Sequence, residues 1–424
     1  MHHVARALGY RVLVRSSHLR STVGVLLAVL VAGCGFGAEA TREVVSDERS
    51  SPASTAGAAT PSTAPTVVAL AGDAAREPGV HRRRPRTPSW KRRLRLIDTI
   101  GGEISPKSVV ASGDGLFLAQ NMMYRHTITA YDRKRRLLAT IPDEVDLSSF
   151  GFKRHAGRHR GAPVEAAFSP SGDHAYVSNY SMYGPGFGPE GSDSCTPADG
   201  TDASFVYRID TETLEIDDAI KVGAVPKYVA TSPDGRWVLV TNWCTYDLSV
   251  IDVAKGRQVR RIELGAYPRG IAIDAESTTA YVAIMGGTRI AAVDLDTFAV
   301  EWIEGVGQGP RDLRISPDGR FLYATLNAEG TVAKIHLGSR RVRARASAGQ
   351  APRSMAISDD GTALYVVNYN SDTVSKIRTR DMRVVQTVDT NTNPIGITYD
   401  PESRQLWVAC YSGSIMVLKD GRHV

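Results

Sequence analysis

Short apolar runs separated by turns of polar residues and glycine follow one another along the second half of the chain. In the stretch GPRDLRISPDGRFLYATLN, which begins at Gly309, two such runs flank the turn Pro317-Asp318-Gly319. Proline presets φ, the aspartate side chain bonds the following backbone and glycine accepts positive φ, so this tripeptide favours a tight turn. The pattern predicts four strands in this unit, over 312–316, 320–326, 331–336 and 341–347.

The same unit recurs at a fixed interval. Aligning on the proline of the opening stretch gives five starts, each 42 residues after the last: Pro226, Pro268, Pro310, Pro352 and Pro394. Two earlier starts, Pro106 and Pro163, are followed by longer intervals of 57 and 63 residues. A period near 42 residues with four strands per unit is typical of a β-propeller, and seven starts predict seven blades. The predicted fold is therefore all-β, a seven-bladed propeller of four-stranded antiparallel blades over 94–424.

The ends of the array predict how the ring closes. The seventh unit supplies three strands and then the chain ends at Val424. The segment LRLIDTIGG, from Leu94 to Gly102, has the pattern of the fourth strand of the other units. We expect this N-terminal strand to complete the last blade, because that arrangement leaves no open sheet edge between the first and last units.

A short motif at the end of the second strand of the units resembles that of a known family. It reads Tyr176-Val177-Ser178-Asn179 in one unit and Tyr365-Val366-Val367-Asn368 in another, with Val240-Thr241-Asn242 as a close variant. These residues resemble the YVTN-repeat propellers, and the resemblance covers about 94–424. It implies a seven-bladed propeller, commonly extracytoplasmic, in a superfamily that includes quinoprotein amine dehydrogenase propellers and lies near the lactonase propellers. The resemblance implies a fold more than a chemistry.

The N-terminal segment has the pattern of a targeting signal. Four arginines without an acidic residue precede the apolar run VGVLLAVLVAGC, which ends at Cys34. That run is too short to span a bilayer as a helix, since spanning takes about 20 residues. Val31-Ala32-Gly33-Cys34 resembles a bacterial lipobox, which predicts a signal peptide over 1–33 and lipidation of Cys34. Residues 34–93, rich in Ser, Pro, Ala and Thr and basic at the end, are predicted to be a disordered tether.

The charge distribution argues against nucleic-acid binding by the predicted propeller. The chain has a formal net charge of +6, but residues 1–93 hold 14 of its 51 basic and 6 of its 45 acidic residues. The remainder has 37 basic and 39 acidic residues and is close to neutral. A basic surface that would bind a phosphate backbone is therefore not indicated for the propeller, although the basic end of the tether remains a candidate for an anionic polymer or lipid headgroups.

Candidate binding residues lie on one face of the predicted propeller. Both insertions fall there, one around 143–161 and one around 181–202, and lengthened loops on a rigid scaffold commonly bind ligands. The residue after the repeat proline starts the innermost strand at that face and is cationic in five of the seven units. Converging cations would attract a carboxylate or a phosphate, although pairing with acids or loop carbonyls inside the fold is an alternative. These cations are Lys107, Lys227, Arg269, Arg311 and Arg353.

Aromatic residues and cysteines add to this face. Either ligand stacking or packing between blades explains the aromatic column that follows the YVTN motif, which contains Tyr180, Trp243, Tyr369 and Tyr411. Cys195 and Cys244 fall in loops of adjacent units on the same face, so we predict a disulfide between them in an oxidising compartment. His155 and His159 lack the further ligands of a known metal spacing, and we predict no metal site.

These observations favour a non-enzymatic scaffold, lipid-anchored at the cell membrane on its extracytoplasmic side. We expect it to be a monomer that binds a cell-envelope protein or a small anionic ligand. No nucleophile elbow, P-loop or paired-carboxylate motif is found, so no catalytic residue is assigned, and no cofactor is identified. A lactonase-like or quinone-dependent enzyme using the channel is the first alternative, and nucleic-acid or anionic-polymer binding is the second.

Overall fold

The protein is a seven-bladed β-propeller, as the repeat period predicts. A computed structural model describes residues 87–422. The predicted signal peptide, Cys34 and most of the predicted tether lie outside these residues. Each blade is an antiparallel sheet of four strands, designated a to d from the channel outwards.

The innermost strands, a, contact one another in a closed circle around the channel. They begin at or just after the repeat proline and run over Ser108–Ala111, Pro163–Phe168, Pro226–Thr231, Pro268–Ile273, Pro310–Ile315, Pro352–Ile357 and Pro394–Asp400. The b strands run over Leu116–Asn121, His174–Asn179, Trp237–Asn242, Thr279–Ile284, Phe321–Leu326, Ala363–Asn368 and Gln405–Cys410. Every residue of strand b is buried in blades 3, 6 and 7, because both faces of this strand pack on neighbouring blades. This explains why the sequence shows continuous apolar runs rather than alternation.

Exposure to solvent is greatest on the d strands, whereas the c strands are largely buried. The c strands run over Thr127–Asp132, Phe205–Asp210, Asp247–Asp252, Ile290–Asp294, Thr331–His336, Thr373–Arg378 and Ser414–Gly421. The d strands of blades 1 to 6 run over Leu137–Pro142, Glu215–Lys221, Arg257–Glu263, Val300–Ile303, Arg341–Ser347 and Arg383–Asp389. The described part of the chain, residues 87–422, also contains four short 3-10 helices, at Ser89–Lys91, Leu147–Phe150, Pro197–Asp199 and Leu337–Ser339. Within residues 87–422, no helix has the length and apolarity needed to cross a membrane.

The N-terminal strand closes the ring, as predicted. Arg93–Ile100 is strand d of blade 7 and pairs antiparallel with Ser414–Gly421 at the C-terminal end of the chain. The junction between blades 7 and 1 is apolar, with Trp407 stacked on Phe117 at a ring-centroid distance of 4.1 Å. The residues just before the closing strand also pack on the propeller, although they fall within the predicted tether: the Ser89 N–H donates to Asp360 at 2.7 Å.

Both insertions lie on the face formed by the d–a and b–c loops, hereafter the loop face. The first contains a small hairpin, Glu144–Asp146 paired with Arg158–Arg160, between blades 1 and 2. The second connects strands b and c of blade 2 and joins the first through a bridge between Arg160 and Tyr183. The Pro-Asp-Gly turns and the c–d turns lie on the opposite face, because alternate connections of a four-stranded meander emerge at opposite ends of the sheet.

Candidate functional site

The five cations that follow the repeat prolines meet at the mouth of the channel. Lys107, Arg269, Arg311 and Arg353 line the same narrow space at the loop-face end of the a strands, and Lys227 lies next to it. These five residues are named the cation ring here. Burial lowers the pKa of Lys107, and the positive charges of the other four members lie close enough to lower it further. The positive charges converge because the residue after the repeat proline lies next to the central axis in every blade.

Two of the arginines contact neutral atoms of the preceding blade. The Arg269 guanidinium donates from Nη1 to the carbonyl oxygen of Lys227 at 2.8 Å. Nη1 of Arg311 lies 3.6 Å from the sulfur of Met285. Both arginines are buried, and burial lowers the pKa of each. Among residues 87–422, no carboxylate contacts either guanidinium directly.

Two further members of the cation ring lie over tyrosine rings. The guanidinium carbon of Arg353 is 3.4 Å from the ring centroid of Tyr369, within its own blade. The ammonium of Lys107 is 5.1 Å from the ring centroid of Tyr411, which belongs to blade 7. These are cation–π contacts, which orient a charge without cancelling it. Two of the predicted aromatic residues therefore serve as supports for the cations.

Lys227 is the one member of the cation ring that forms an ion pair within residues 87–422. Its ammonium lies 3.0 Å from a carboxylate oxygen of Asp193 and is 4.2 Å from the ring centroid of Tyr180 and 5.1 Å from that of Trp243. The Lys227 side chain is 8% exposed, whereas that of Asp193 is 86% exposed. Burial, reinforced by Arg269, lowers the pKa of Lys227 to about 7 despite Asp193.

The second insertion carries Asp193 and is fastened to blade 3. Cys195 and Cys244, the predicted pair, form a disulfide with their Cα atoms 5.2 Å apart. The Trp243 indole N–H donates to the carbonyl oxygen of Asp193 at 3.1 Å, and the Tyr180 hydroxyl donates to the insertion at 2.7 Å. Tyr180 and Trp243 therefore both support Lys227 and anchor the loop whose carboxylate pairs with it.

A cleft of about 300 Å³ opens above Lys107 and Lys227 on the loop face. It is large enough for a small organic ligand, whereas the channel among the ring arginines has about 20 Å³, the space of about one water molecule. The cleft walls are mainly aromatic and thioether side chains with few acids. They comprise Met122, Met123, Tyr124, His126, Tyr180, Tyr183, Glu190, Asp193 and Tyr411.

The channel contains acids that the sequence reasoning missed. Glu165 and Asp312 line it just below the cation ring. Asp312 pairs with Arg314 at 3.0 Å, and Arg314 also donates to the Tyr228 hydroxyl at 2.9 Å. Burial raises the pKa of Glu165 to about 7. Glu165, Tyr228 and Asp312 occupy the second position after the repeat proline. Comparing the residues at that position in all seven units could therefore have indicated the acids of the channel.

The histidines of the first insertion contribute to packing. His159 lies 3.0 Å from the carbonyl oxygens of both Gly157 and Pro185 through its two ring nitrogens, and His155 stacks on Phe187. These contacts occupy both ring nitrogens of His159, as expected for a structural histidine. Another group with metal-ligand chemistry, His174, Asp210 and Asp217, lies at the opposite face.

The comparisons with known proteins support the fold and a distant lactonase likeness. Residues 296–382 match the profile of a family described as a lactonase, seven-bladed beta-propeller, and residues 199–272 match one described as a YNCE-like beta-propeller. No curated protein matches the chain. A solved structure titled Kuenenia stuttgartiensis Hydrazine Synthase is 19% identical, with a TM-score of 0.59 over 76% of this chain and 97% of that one. At this identity the likeness concerns the fold alone.

Proposed function

We propose that this protein is a binding protein for an organic anion, held in the cleft above Lys107 and Lys227. The observation that carries the proposal is the cation ring itself, in which like charges converge and only Lys227 has a carboxylate in direct contact within residues 87–422. Burying like charges together is costly unless an anion compensates them. A bound carboxylate or phosphate would supply that compensation.

The size and lining of the two spaces decide where the anion binds. A phosphate does not fit the channel, whose free space is about that of one water molecule. The cleft has room for an anionic group beside the two lysines and for an attached apolar or planar body against Tyr180 and Tyr411. Aromatic walls with a few placed charges are typical of small-molecule sites. The ligand class is therefore an anion that carries a ring or an apolar chain.

The proposal also includes the place of the protein in the cell. The lipobox-like sequence before Cys34 and the predicted tether support a YVTN-type lipoprotein anchored at the outer side of the membrane. The disulfide between Cys195 and Cys244 is consistent with such an oxidising compartment. In this setting the ligand would be a small anion, or an acidic segment of a cell-envelope protein.

The test compares phenyl phosphate with inorganic phosphate as probes, by isothermal titration calorimetry at constant ionic strength. We expect phenyl phosphate to bind more tightly and its affinity to fall about tenfold or more in the Lys107→Gln, Lys227→Gln double variant. Lys134→Gln, which removes an exposed cation at a c–d turn of the opposite face, is the control. Equal affinity in the double variant and the wild type would refute the site.

A second candidate function is hydrolysis of a lactone bound in the cleft, with Glu165 acting through a water molecule, because the channel itself has room for about one water. It is favoured by the lactonase-family match, which includes Asp312, and by Glu165, whose pKa near 7 suits a general base. Glucono-δ-lactone is a suitable probe, with hydrolysis followed by pH-stat. A rate above the spontaneous one that is lost in Glu165→Gln would support hydrolysis, whereas equal rates with wild type, Glu165→Gln and buffer would exclude it.

A further inference from the structure

A buried carboxyl group at the start of the first insertion has no partner in the described residues. Asp143 is completely buried, and neither of its side-chain oxygens has a hydrogen-bond partner within residues 87–422. Its backbone is well fixed, since its N–H donates to the carbonyl of His126 and its carbonyl accepts from Gly161. A buried ionised carboxylate without a partner is strongly unfavourable, so this group requires either a proton or a cation.

The neighbouring carboxamide of Asn179 is also without a partner. In blades 1, 3 and 6 the asparagine at the end of strand b donates from Nδ2 to side chains of strand c, at 2.6 to 3.3 Å. In blade 2 the corresponding strand-c positions are Phe205 and Tyr207, and neither the oxygen nor the nitrogen of the Asn179 side chain is hydrogen-bonded within the described residues. The Asn179 amide nitrogen therefore lacks the acceptors that blades 1, 3 and 6 provide, while its oxygen is without a partner in the described residues, as are those of Asn242 and Asn368.

These unpartnered groups meet at Gly161. A Cβ at this glycine would lie 2.4 Å from Oδ1 of Asn179 and 2.7 Å from Oδ1 of Asp143. Only glycine therefore leaves room for both oxygens to approach the backbone. Asp143 and Gly161 lie at the two ends of the first insertion and Asn179 is the last residue of strand b of blade 2, so this oxygen-lined, buried point lies between blades 1 and 2.

We propose that Asp143 and Asn179 bind a hard cation, with Ca²⁺ as the best fit. Carboxylate and carboxamide oxygens are ligands that Ca²⁺ prefers, and its flexible coordination accepts backbone carbonyls and water as the remaining ligands. Mg²⁺ requires a stricter octahedral arrangement. The cation would neutralise Asp143 and fasten the start of the first insertion to strand b of blade 2. This site is distinct from the anion cleft and does not depend on it.

The site would also order one wall of the cleft. His126, which lines the cleft, lies 2.7 Å through Nδ1 from the carbonyl oxygen of Gly161 and accepts through its own carbonyl from the N–H of Asp143. A cation bound to Asp143 would therefore also order the backbone of Asp143 and Gly161, which holds His126 in place. The alternative to a cation is a protonated Asp143, since burial raises the pKa of this carboxyl group well above its ordinary value.

Thermal unfolding of the full-length protein, stripped with EDTA and titrated with CaCl₂, MgCl₂ or NaCl, tests the proposal. We expect Ca²⁺ to raise the unfolding temperature in a saturable way, Mg²⁺ and Na⁺ to do so less at equal concentration, and Asp143→Asn to abolish the Ca²⁺ response. Glu144→Gln, which removes the acid next in sequence, is the matched control and should keep the response. Calorimetric titration of the wild type should give one Ca²⁺ per chain.

Two results would overturn the proposal. One is an equal Ca²⁺ response in the wild type and Asp143→Asn, or no response in either. The other is a wild type whose unfolding temperature ignores all three cations but falls above neutral pH, while that of Asp143→Asn does not, which would identify a protonated acid. Should Asp143→Asn fail to fold, Asn179→Ala keeps the carboxylate and should weaken Ca²⁺ binding at least tenfold. Unchanged binding in this variant would also count against the site.

Discussion

The carboxylate of Asp193 lies 3.0 Å from the ammonium of Lys227, so the protein places one of its own acids where the proposed ligand would bind. Asp193 is exposed and belongs to an insertion found in one blade only, whereas Lys227 is buried and belongs to the repeat. The ion pair thus places a carboxylate from the insertion against a cation of the repeat. It partly neutralises the cation ring when the cleft is empty.

Removing this carboxylate should tighten anion binding. We predict that Asp193→Asn increases the affinity for phenyl phosphate by up to about fivefold, because an ion pair with an exposed, solvent-screened carboxylate contributes about 0.2–1 kcal/mol. The measurement is calorimetric titration at fixed ionic strength. Asp193→Glu, which keeps the charge, should behave like the wild type. A weaker affinity in Asp193→Asn would instead make Asp193 a ligand-binding residue.

Anion binding should depend on pH near neutrality. The pKa of Lys227 is lowered to about 7, so this residue loses its charge as the pH rises through 7, and a bound anion favours the charged form. We therefore expect affinity to fall between pH 6 and pH 9, with proton uptake on binding near pH 8. Titrations in two buffers of different ionisation enthalpy measure that uptake. Lys227→Arg remains charged throughout and should flatten the profile; an unchanged profile would assign the pH dependence to another group.

The disulfide should contribute to the stability of the loop face. Cys195 and Cys244 are separated by 49 residues, and closing a loop of this length stabilises a fold by about 3–4 kcal/mol in the chain-entropy description. We predict that the double variant Cys195→Ser, Cys244→Ser unfolds at lower denaturant concentration than the wild type. Dithiothreitol should destabilise the wild type and leave the double variant unaffected. Equal sensitivity of both to the reductant would contradict this prediction.

A buried ion pair should be important for closing the ring. The ammonium of Lys376 lies 2.6 Å from Asp420 and donates to the carbonyl oxygen of Arg92 at 3.0 Å, while the Tyr365 hydroxyl donates to the second oxygen of Asp420 at 2.7 Å. These contacts join blade 6 to the residue before the closing strand and to strand c of blade 7. Leaving one buried charge unpaired costs about 3–5 kcal/mol.

We therefore predict that Lys376→Met lowers the free energy of unfolding by about 3–5 kcal/mol in urea. The double variant Lys376→Met, Asp420→Asn removes both charges and should recover part of the loss. A loss in the single variant no larger than that in the double variant would show that the pair contributes packing rather than charge compensation.

The propeller could be predicted from the sequence because each blade repeats the same local sequence pattern. The apolar runs, the Pro-Asp-Gly turns and the 42-residue interval are local properties, and an array of such units can bury its apolar faces only by stacking. The strands predicted for the unit of Pro310 agree with the observed ones to within two residues at each end. The closing strand was also predictable, since one unit lacked a strand and one segment was left over.

The candidate site was predictable only in part, for a geometric reason. The residue directly after each repeat proline identified the cation ring, because this residue lies next to the central axis in every blade. The column that contains Glu165, Tyr228 and Asp312 is not uniform in charge, so it gave no comparable signal. The partners of the cations, such as Met285 for Arg311 and Tyr411 for Lys107, come from neighbouring blades and depend on side-chain conformation.

The class of fold, the number of blades, the closing strand and the face on which both insertions lie follow from the periodicity of the sequence and from hydrophobic burial. Three-dimensional packing was needed to show that the channel is nearly filled, that the usable space is a cleft beside Lys107 and Lys227, and that Asp143 meets Asn179. Those features depend on how side chains from separate blades share one volume, and packing of this kind is not encoded in any single repeat.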